Sequence, residues 1–304
     1  MNTTARSNCF KSGVIRPKMP STASKRFEVW GAPIAHSKSP ELHRAAYGVL
    51  GRDWEYRAVE VSTEQLADAF HTLPSAVGGL SLTMPLKEGI LNLVSDHRGP
   101  VDLLHAANTV VRTNDDWWLE NTDWWGAAQV LSDYGGVSGD TVWMLGAGAT
   151  ARAVVYALST HKPAKLVLVV RSPERARVTE VLAETLGIPV EVAVMSDIPS
   201  EPPQWAISTL PGGVVAEIPG LDVVAGSSTL FDIAYDPWPS TLASLWQSAG
   251  APVISGLEML VYQALAQIRA FVNADTSIPL EREPEIIDAM RLSVGLEPPS
   301  HPGV

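Results

Sequence analysis

The segment Gly146-Ala147-Gly148-Ala149-Thr150-Ala151 is a G-x-G-x-x-A turn, entered from the apolar run Thr141 to Leu145 and left into a helical pattern beginning near Arg152. Such a turn between a strand and a helix holds the pyrophosphate of a dinucleotide. Gly146 permits the tight turn, and Gly148 lets the pyrophosphate approach the backbone. Ala151 is small enough for helix and strand to pack closely, with the helix N-terminus facing the anion. Gly146, Ala147, Gly148 and Ala151 are therefore candidate cofactor contacts. The alternative is a structural glycine-rich turn without a ligand, against which the flanking strand and helix argue.

The next strand, Leu166 to Val170, bears on which dinucleotide is held. An NAD site places an Asp or Glu about 20 residues past the glycines to hold the ribose 2′-hydroxyl. Here the chain reads Val170-Arg171-Ser172-Pro173-Glu174-Arg175, with two guanidinium groups and a hydroxyl where a 2′-phosphate would sit. A guanidinium offers that dianion a fixed fork of donors, so Arg171, Ser172 and Arg175 read as an NADP site. Without a ligand, the same arginines would be solvated helix-start charges beside Glu174.

Polar groups of another kind lie upstream. Ser37 and Ser39 stand two positions apart on a loop before Pro40 opens a helix. Both could point at a ligand carboxylate, with the positive potential of a helix N-terminus behind them; alternatively, Ser39 caps the helix and Ser37 faces water. Gly79 to Lys87 ends a strand in a turn bearing Thr83 and Lys87, and Asn108 and Asp123 fall at the ends of later elements.

Positioning these groups takes an alternation of strands and helices. Strand candidates are Phe27 to Trp30, Trp54 to Val59, Gly79 to Leu82, Asn108 to Arg112, Thr141 to Leu145, Leu166 to Val170, Val190 to Val194, Trp205 to Ile207 and Leu230 to Ile233. Helical patterns lie between them, punctuated by Gly, Pro, Ser or Asp. That order implies right-handed crossovers and largely parallel sheets. The expected fold class is α/β, with an N-terminal substrate-binding lobe over residues 27–123 and a Rossmann-type NADP-binding lobe over residues 124–256. The second lobe opens with a connecting helix, Ala127 to Tyr134, and the Gly135-Gly136 break. C-terminal helices over residues 257–304, among them Glu258 to Val272, return to the first lobe. A cleft between lobes is the expected place for a small ligand. Residues 1–26 carry six basic side chains and no acid and read as a disordered leader, with Met19 an alternative start; Pro298 to Val304 read as a disordered tail.

Composition narrows the function classes. With 304 residues, 46% hydrophobic and 18% charged, the chain has the length of two domains and is not disordered. No apolar run reaches the 18 or so residues of a membrane span, so a soluble protein is expected. The formal net charge of −11 becomes −17 without the first 26 residues, and this would repel nucleic acid. A lone Cys9, with no Cys or His cluster at zinc spacing, leaves no internal disulfide and no metal site and fits a reducing cytoplasm. Oligomeric state stays open, a homodimer included.

In their order and spacing, several segments together resemble the shikimate dehydrogenases, NADP-dependent enzymes of aromatic amino acid biosynthesis that interconvert 3-dehydroshikimate and shikimate. They are the serine loop, Gly79 to Lys87, Ala106-Ala107-Asn108-Thr109, Glu120-Asn121-Thr122-Asp123, the nucleotide turn and Gly256 to Ala264. The resemblance spans roughly residues 27–291. It implies that Ser37 and Ser39 bind the substrate carboxylate, that Thr83, Asn108, Asp123 and Gln263 hold ring hydroxyls, and that Lys87 and Asp123 are the catalytic pair. Tyr235 matches the substrate-side tyrosine, and Gly256 with Met259 lies where nicotinamide is expected. The chain departs from the family pattern at Ser81, where Asn is usual, which bears on affinity and substrate choice. Arg44, Ala149-Thr150 and Val170 depart at the periphery.

The implied reaction needs a hydride carrier on one face of the ring carbon and a group that handles the hydroxyl proton on the other side; NADP supplies the first. A carboxylate beside a lysine favours its ammonium form, so the pair acts most naturally as the acid of the reduction, with Lys87 transferring the proton and Asp123 orienting hydroxyl and ammonium. Two other readings stay open. A quinate/shikimate dehydrogenase using NAD is permitted by Ser81 and opposed by Arg171. A non-enzymatic NADP-binding redox sensor would have no reason to retain Lys87, Asp123, Asn108 and Gln263 together. Trp117, Trp118, Trp124 and Trp125 read as core or lobe-junction packing, and His36 reads as structural.

Overall fold

The computed structural model describes residues 25–114, 116–211 and 218–297. All but the last two residues of the expected leader, and the whole expected tail from Pro298, lie outside the described residues.

The first lobe runs β1 (Arg26–Gly31), α1 (Ser39–Val49), β2 (Glu55–Glu60), α2 (Leu66–His71), β3 (Val77–Leu82), β4 (Asp96–His97), α3 (Val101–Leu104), β5 (Thr109–Thr113) and β6 (Asp116–Glu120); the connecting helix α4 (Asp123–Asp133) follows, its Ala127, Val130 and Leu131 in the same core cluster as Val142 and Met144. Its sheet has the order β2-β1-β3-β5-β6-β4. Phe27 and Val29 of β1 enter one core cluster and Trp30 another, so this strand is buried on both faces. Pairing is largely parallel, as expected, for β1 with β2 and β3 and for β4 with β6, but the sheet is mixed because β5 pairs antiparallel with both β3 and β6. β5 and β6 are joined by a short hairpin that needs no crossover. Strand β6 was hidden by its tryptophans, which read as packing alone. Trp118 is buried in the sheet beneath the Arg98 guanidinium, 4.1 Å from the ring centre.

The second lobe runs β7 (Thr141–Leu145), α5 (Ala149–His161), β8 (Lys165–Val170), α6 (Pro173–Thr185), β9 (Val190–Val194), β10 (Trp205–Ser208), α7 (Leu221–Ala225), β11 (Thr229–Asp232), α8 (Thr241–Ser248) and β12 (Val253–Ser255). The strand order β12-β11-β10-β7-β8-β9 is wholly parallel. Val142 and Met144 pack on one side of β7 and Trp143 and Leu145 on the other, which explains the uninterrupted apolar strand sequence. The chain leaves β7 toward β8 on one side and later places β10 on the other. That reversal opens a crevice at the carboxyl ends of β7 and β10, the place where such sheets bind ligands.

Two helices close the chain, α9 (Gly256–Asn273) and α10 (Glu283–Ser293). Met259 and Tyr262 of α9 enter the nucleotide-lobe core, whereas Val261, Leu265 and Ile268 enter the core of the first lobe. Helix α10 lies against α1, so the chain does return to the first lobe. At Gly126 of α4 an added Cβ would stand 2.7 Å from the Met259 carbonyl oxygen, and its absence lets the α4 and α9 backbones touch. Trp124 of α4 meets Tyr156 of α5 edge-on and Trp125 lies under Arg269 of α9, at the junction of the lobes. Among the described residues, no helix is long and apolar enough to cross a membrane.

Candidate active site

Lys87 follows β3 through a turn in which the Thr83 amide donates to the Trp30 carbonyl at 2.9 Å and the Leu86 amide to the Thr83 carbonyl at 2.9 Å. Asp123 begins α4. Their side chains meet: Lys87 Nζ donates to Asp123 Oδ2, with side-chain exposures of 13% and 7%. The second carboxylate oxygen accepts from Asn108 Nδ2 at 2.8 Å. Asn108 is itself fixed, since its Oδ1 accepts from the Thr122 amide at 2.8 Å. The Thr122 hydroxyl donates to the Gln263 carbonyl of α9 at 3.0 Å, across the contact that Gly126 permits. A carboxylate with both oxygens engaged can hold an ammonium in one place without drifting between rotamers.

A cavity of about 210 Å³ opens onto this pair and is lined by Ser37, Ser39, Thr83, Lys87, Asp123, Tyr235, Gly256, Met259 and Gln263. Nine residues expected to touch substrate or nicotinamide therefore share one cavity. Asn108, expected on a ring hydroxyl, is not among its lining residues; it is 1% exposed and stands behind the wall, holding Asp123. Ser39 is not a cap. The chain is already helical at Lys38 (φ −86, ψ −4), which precedes α1 and makes no side-chain cap bond, so Ser39 falls inside the first turn. Burial and the neighbouring Asp236 push the Tyr235 phenol up, leaving it a neutral hydrogen-bond donor. His36 lies exposed on this cavity, its Nδ1 2.8 Å from Asp236 Oδ2.

A buried polar chain reaches the cavity wall at Ser81 and Gln267. Tyr56 donates to Ser81 Oγ at 2.6 Å, Ser81 donates to Gln267 Oε1 at 2.8 Å, and Gln267 Nε2 donates to the Asn108 carbonyl at 3.0 Å. His43 stacks on the Tyr56 ring at 3.9 Å, and burial pushes its imidazole down to about 3, so it is neutral. Ser81, where the family pattern has an amide, is thus a link between a tyrosine and a glutamine.

The crevice of the second lobe holds a larger cavity of about 810 Å³, lined by Gly146, Ala147, Gly148, Ala151, Arg171, Ser172 and Arg175 among others; Thr83, Lys87 and Thr150 line both cavities. Gly146 has φ +106, and a Cβ there would lie 2.6 Å from Thr209 Oγ1. Gly148 is different: a Cβ there would meet nothing within 4 Å, so the missing side chain leaves open space at the N-terminus of the 13-residue α5. A helix N-terminus with such a recess fits a pyrophosphate. Arg171 and Arg175 make no ion pair among the described residues, and Glu174 between them accepts from the Ser172 hydroxyl at 2.6 Å. Two uncommitted guanidinium groups at this edge fit the 2′-phosphate of an adenosine. The glycines separate in a test. Gly148→Ala should leave thermal stability within about 1 kcal/mol of the parent yet weaken dinucleotide binding at least about tenfold, whereas Gly146→Ala should cost about 1–3 kcal/mol of stability. Thermal denaturation and calorimetric titration of each variant give the comparison.

A sequence profile described as "Shikimate dehydrogenase substrate binding domain" matches residues 29–110. The shikimate dehydrogenase (NADP(+)) of Methanothrix thermoacetophila is 33% identical to this chain over 264 residues, covering 84% of this chain and 94% of the relative. The chain belongs to the shikimate dehydrogenase family. It is an NAD(P)-dependent dehydrogenase of that family. The crystal structure of Mycobacterium tuberculosis shikimate dehydrogenase matches it with a TM-score of 0.76 at 34% identity, covering 88% of this chain and 99% of the other. That of 5-ketofructose reductase from a Gluconobacter species matches with a TM-score of 0.74 at 22% identity, covering 88% and 98%, a likeness of fold alone.

Within this shikimate dehydrogenase-family site, sequence reasoning missed residues that act at a distance along the chain. Gln267 lines the smaller cavity, and Glu88 and Arg152 line the larger. A signal for Gln267 existed: Gln263 and Gln267 stand four apart on an otherwise apolar helix face, where buried amides require partners.

Proposed function

We propose that this chain catalyses the reversible, NADP-dependent reduction of 3-dehydroshikimate to shikimate. The observation that carries the proposal is the Lys87–Asp123 ion pair on the smaller cavity, with Lys87 also on the wall of the nucleotide-sized cavity. NADPH, held along the larger cavity by the α5 N-terminus and by Arg171 and Arg175, would supply the hydride. The chain supplies the rest. Ser37, Ser39 and the neutral Tyr235 phenol offer hydroxyl donors to a carboxylate, while Thr83 and Gln263 offer hydrogen bonds to ring hydroxyls. The proton to be delivered is held at Lys87 Nζ. Asp123 Oδ2 fixes that ammonium, and Asn108 fixes Asp123 from behind. Because the pair is largely withdrawn from water, its charges act through less screening than on the surface.

Arg171 and Arg175 favour NADP over NAD, since β8 ends without an acid to take a ribose 2′-hydroxyl. Initial-rate assays with shikimate or quinate, each with NADP or NAD, test the proposal. Shikimate with NADP is expected to exceed every other combination by about 10²-fold in kcat/KM. Dominant quinate turnover with NAD would replace the proposed substrate and cofactor, and no turnover in any combination would favour a binding protein.

A further inference from the structure

Arg152 is the fourth residue of α5 and is buried in a run of Ala151, Ala153, Val154 and Val155, where an arginine survives only with partners. Its hydrogen-bond partners come from the first lobe. Nε donates to the Leu104 carbonyl at 2.6 Å, and Nη2 donates to Glu88 Oε1 at 2.5 Å and to the His105 carbonyl at 3.4 Å. Leu104 and His105 end α3, with His105 in the left-handed region at φ 47, and the guanidinium takes carbonyls that a helix end leaves open.

The turn so anchored braces both members of the Lys87–Asp123 pair. The Ala107 amide donates to the Lys87 carbonyl at 2.8 Å. Asn121, two residues before Asp123, donates to the Ala106 carbonyl at 2.9 Å, and Asn108 holds Asp123 at 2.8 Å. Glu88, next to Lys87, is the other end of the tie. Both Glu88 and Arg152 line the larger cavity, so the guanidinium also neutralises a carboxylate on a wall suited to an anionic ligand.

We propose that Arg152 is a positioning residue: it ties the helix that would receive the nucleotide to the backbone turn at residues 104–108, and through that turn sets where the lysine and aspartate stand relative to the larger cavity. The inference rests on the reading of Lys87 and Asp123 as the proton-handling pair. A displacement of about 1 Å in such a pair is enough to lower turnover about 10²-fold without emptying the substrate cavity.

The test uses the full chain with Arg152→Met, Arg152→Lys and Glu88→Gln, assayed with shikimate and NADP. Shikimate deuterated at the carbon that loses hydride reports the chemical step, and amide hydrogen exchange of the cofactor-free proteins reports the turn. Arg152→Met is expected to lower kcat about 30- to 100-fold, to move the shikimate KM less than about threefold, and to raise the isotope effect on kcat as hydride transfer becomes slower. Exchange over residues 104–109 should accelerate. Arg152→Lys, which keeps a charge for Glu88 but lacks the fork, should recover part of the loss; if the methionine variant does not fold, a fall of about 5- to 10-fold in the lysine variant, with the same rise in isotope effect, carries the test. Glu88→Gln, which keeps both carbonyl bonds, should lose less than Arg152→Met. A kcat within about threefold of wild type, an unchanged isotope effect, or unchanged exchange at the turn in a folded Arg152→Met protein would each overturn the proposal. Wild-type protein that fails to oxidise shikimate would instead overturn the proposed function, while the exchange measurement would still decide the brace.

Discussion

Replacing Lys87 with alanine is expected to lower kcat for shikimate oxidation by about 10³-fold or more while shifting the dissociation constant of shikimate by less than about threefold. The asymmetry follows from where the ammonium lies. Lys87 Nζ touches Asp123 and Lys87 lines both cavities, so its removal deletes the group proposed to handle the proton. Ser37, Ser39, Tyr235 and Gln263, which would carry most of the affinity, remain on the wall of the smaller cavity. Asp123 keeps its hydrogen bond from Asn108 at 2.8 Å, so the carboxylate is not orphaned and the cavity should hold its shape. Initial rates and calorimetric titration on the same preparation separate turnover from affinity. A variant that keeps a tenth or more of kcat, about 1.4 kcal/mol of barrier, would show that the proton travels by another route.

Arg171→Ala with Arg175→Ala should lower kcat/KM for NADP about 10²-fold and leave the value for NAD within about threefold, abolishing the preference. Charge-assisted contacts to a phosphate contribute about 1.5–3 kcal/mol each, and two would give more than this; both guanidinium groups are solvent-exposed, so screening reduces the sum. The same exposure should make the proposed NADP preference of the parent protein shrink as salt is raised. Initial rates with both cofactors at low and high ionic strength measure both effects. An unchanged preference in the double variant would mean that the 2′-phosphate is read elsewhere.

Legibility in the sequence followed the range of the signal. β7, the Gly146 turn and α5 are contiguous, and each is written in local chemistry: an apolar strand, a glycine with φ +106, a helix start. β8 and the two arginines after it read as easily. What stayed hidden was set by partners far away in the chain. β6 pairs antiparallel with β5 because a hairpin brings it there, and its consecutive tryptophans show no alternation that would mark a strand. Ser39 looked like a cap because Pro40 follows it, yet Lys38 is already helical. Asn108 fell in the right motif, but only the contact of α4 with α9 shows that it stands behind Asp123 and not on the cavity. Arg152 showed a readable anomaly, a cation in a run of buried alanines and valines, while its partners lie up to 64 positions away.

The most direct measurement is a crystal structure of the protein with NADP and shikimate bound together. The expected result has Lys87 Nζ within about 3.2 Å of the hydroxyl on the shikimate carbon that faces the nicotinamide, with that carbon about 3–3.5 Å from the nicotinamide carbon that takes the hydride. A complex in which that hydroxyl meets other groups and the Lys87 ammonium lies beyond about 5 Å of it, with no bridging water, would contradict the role assigned to the pair.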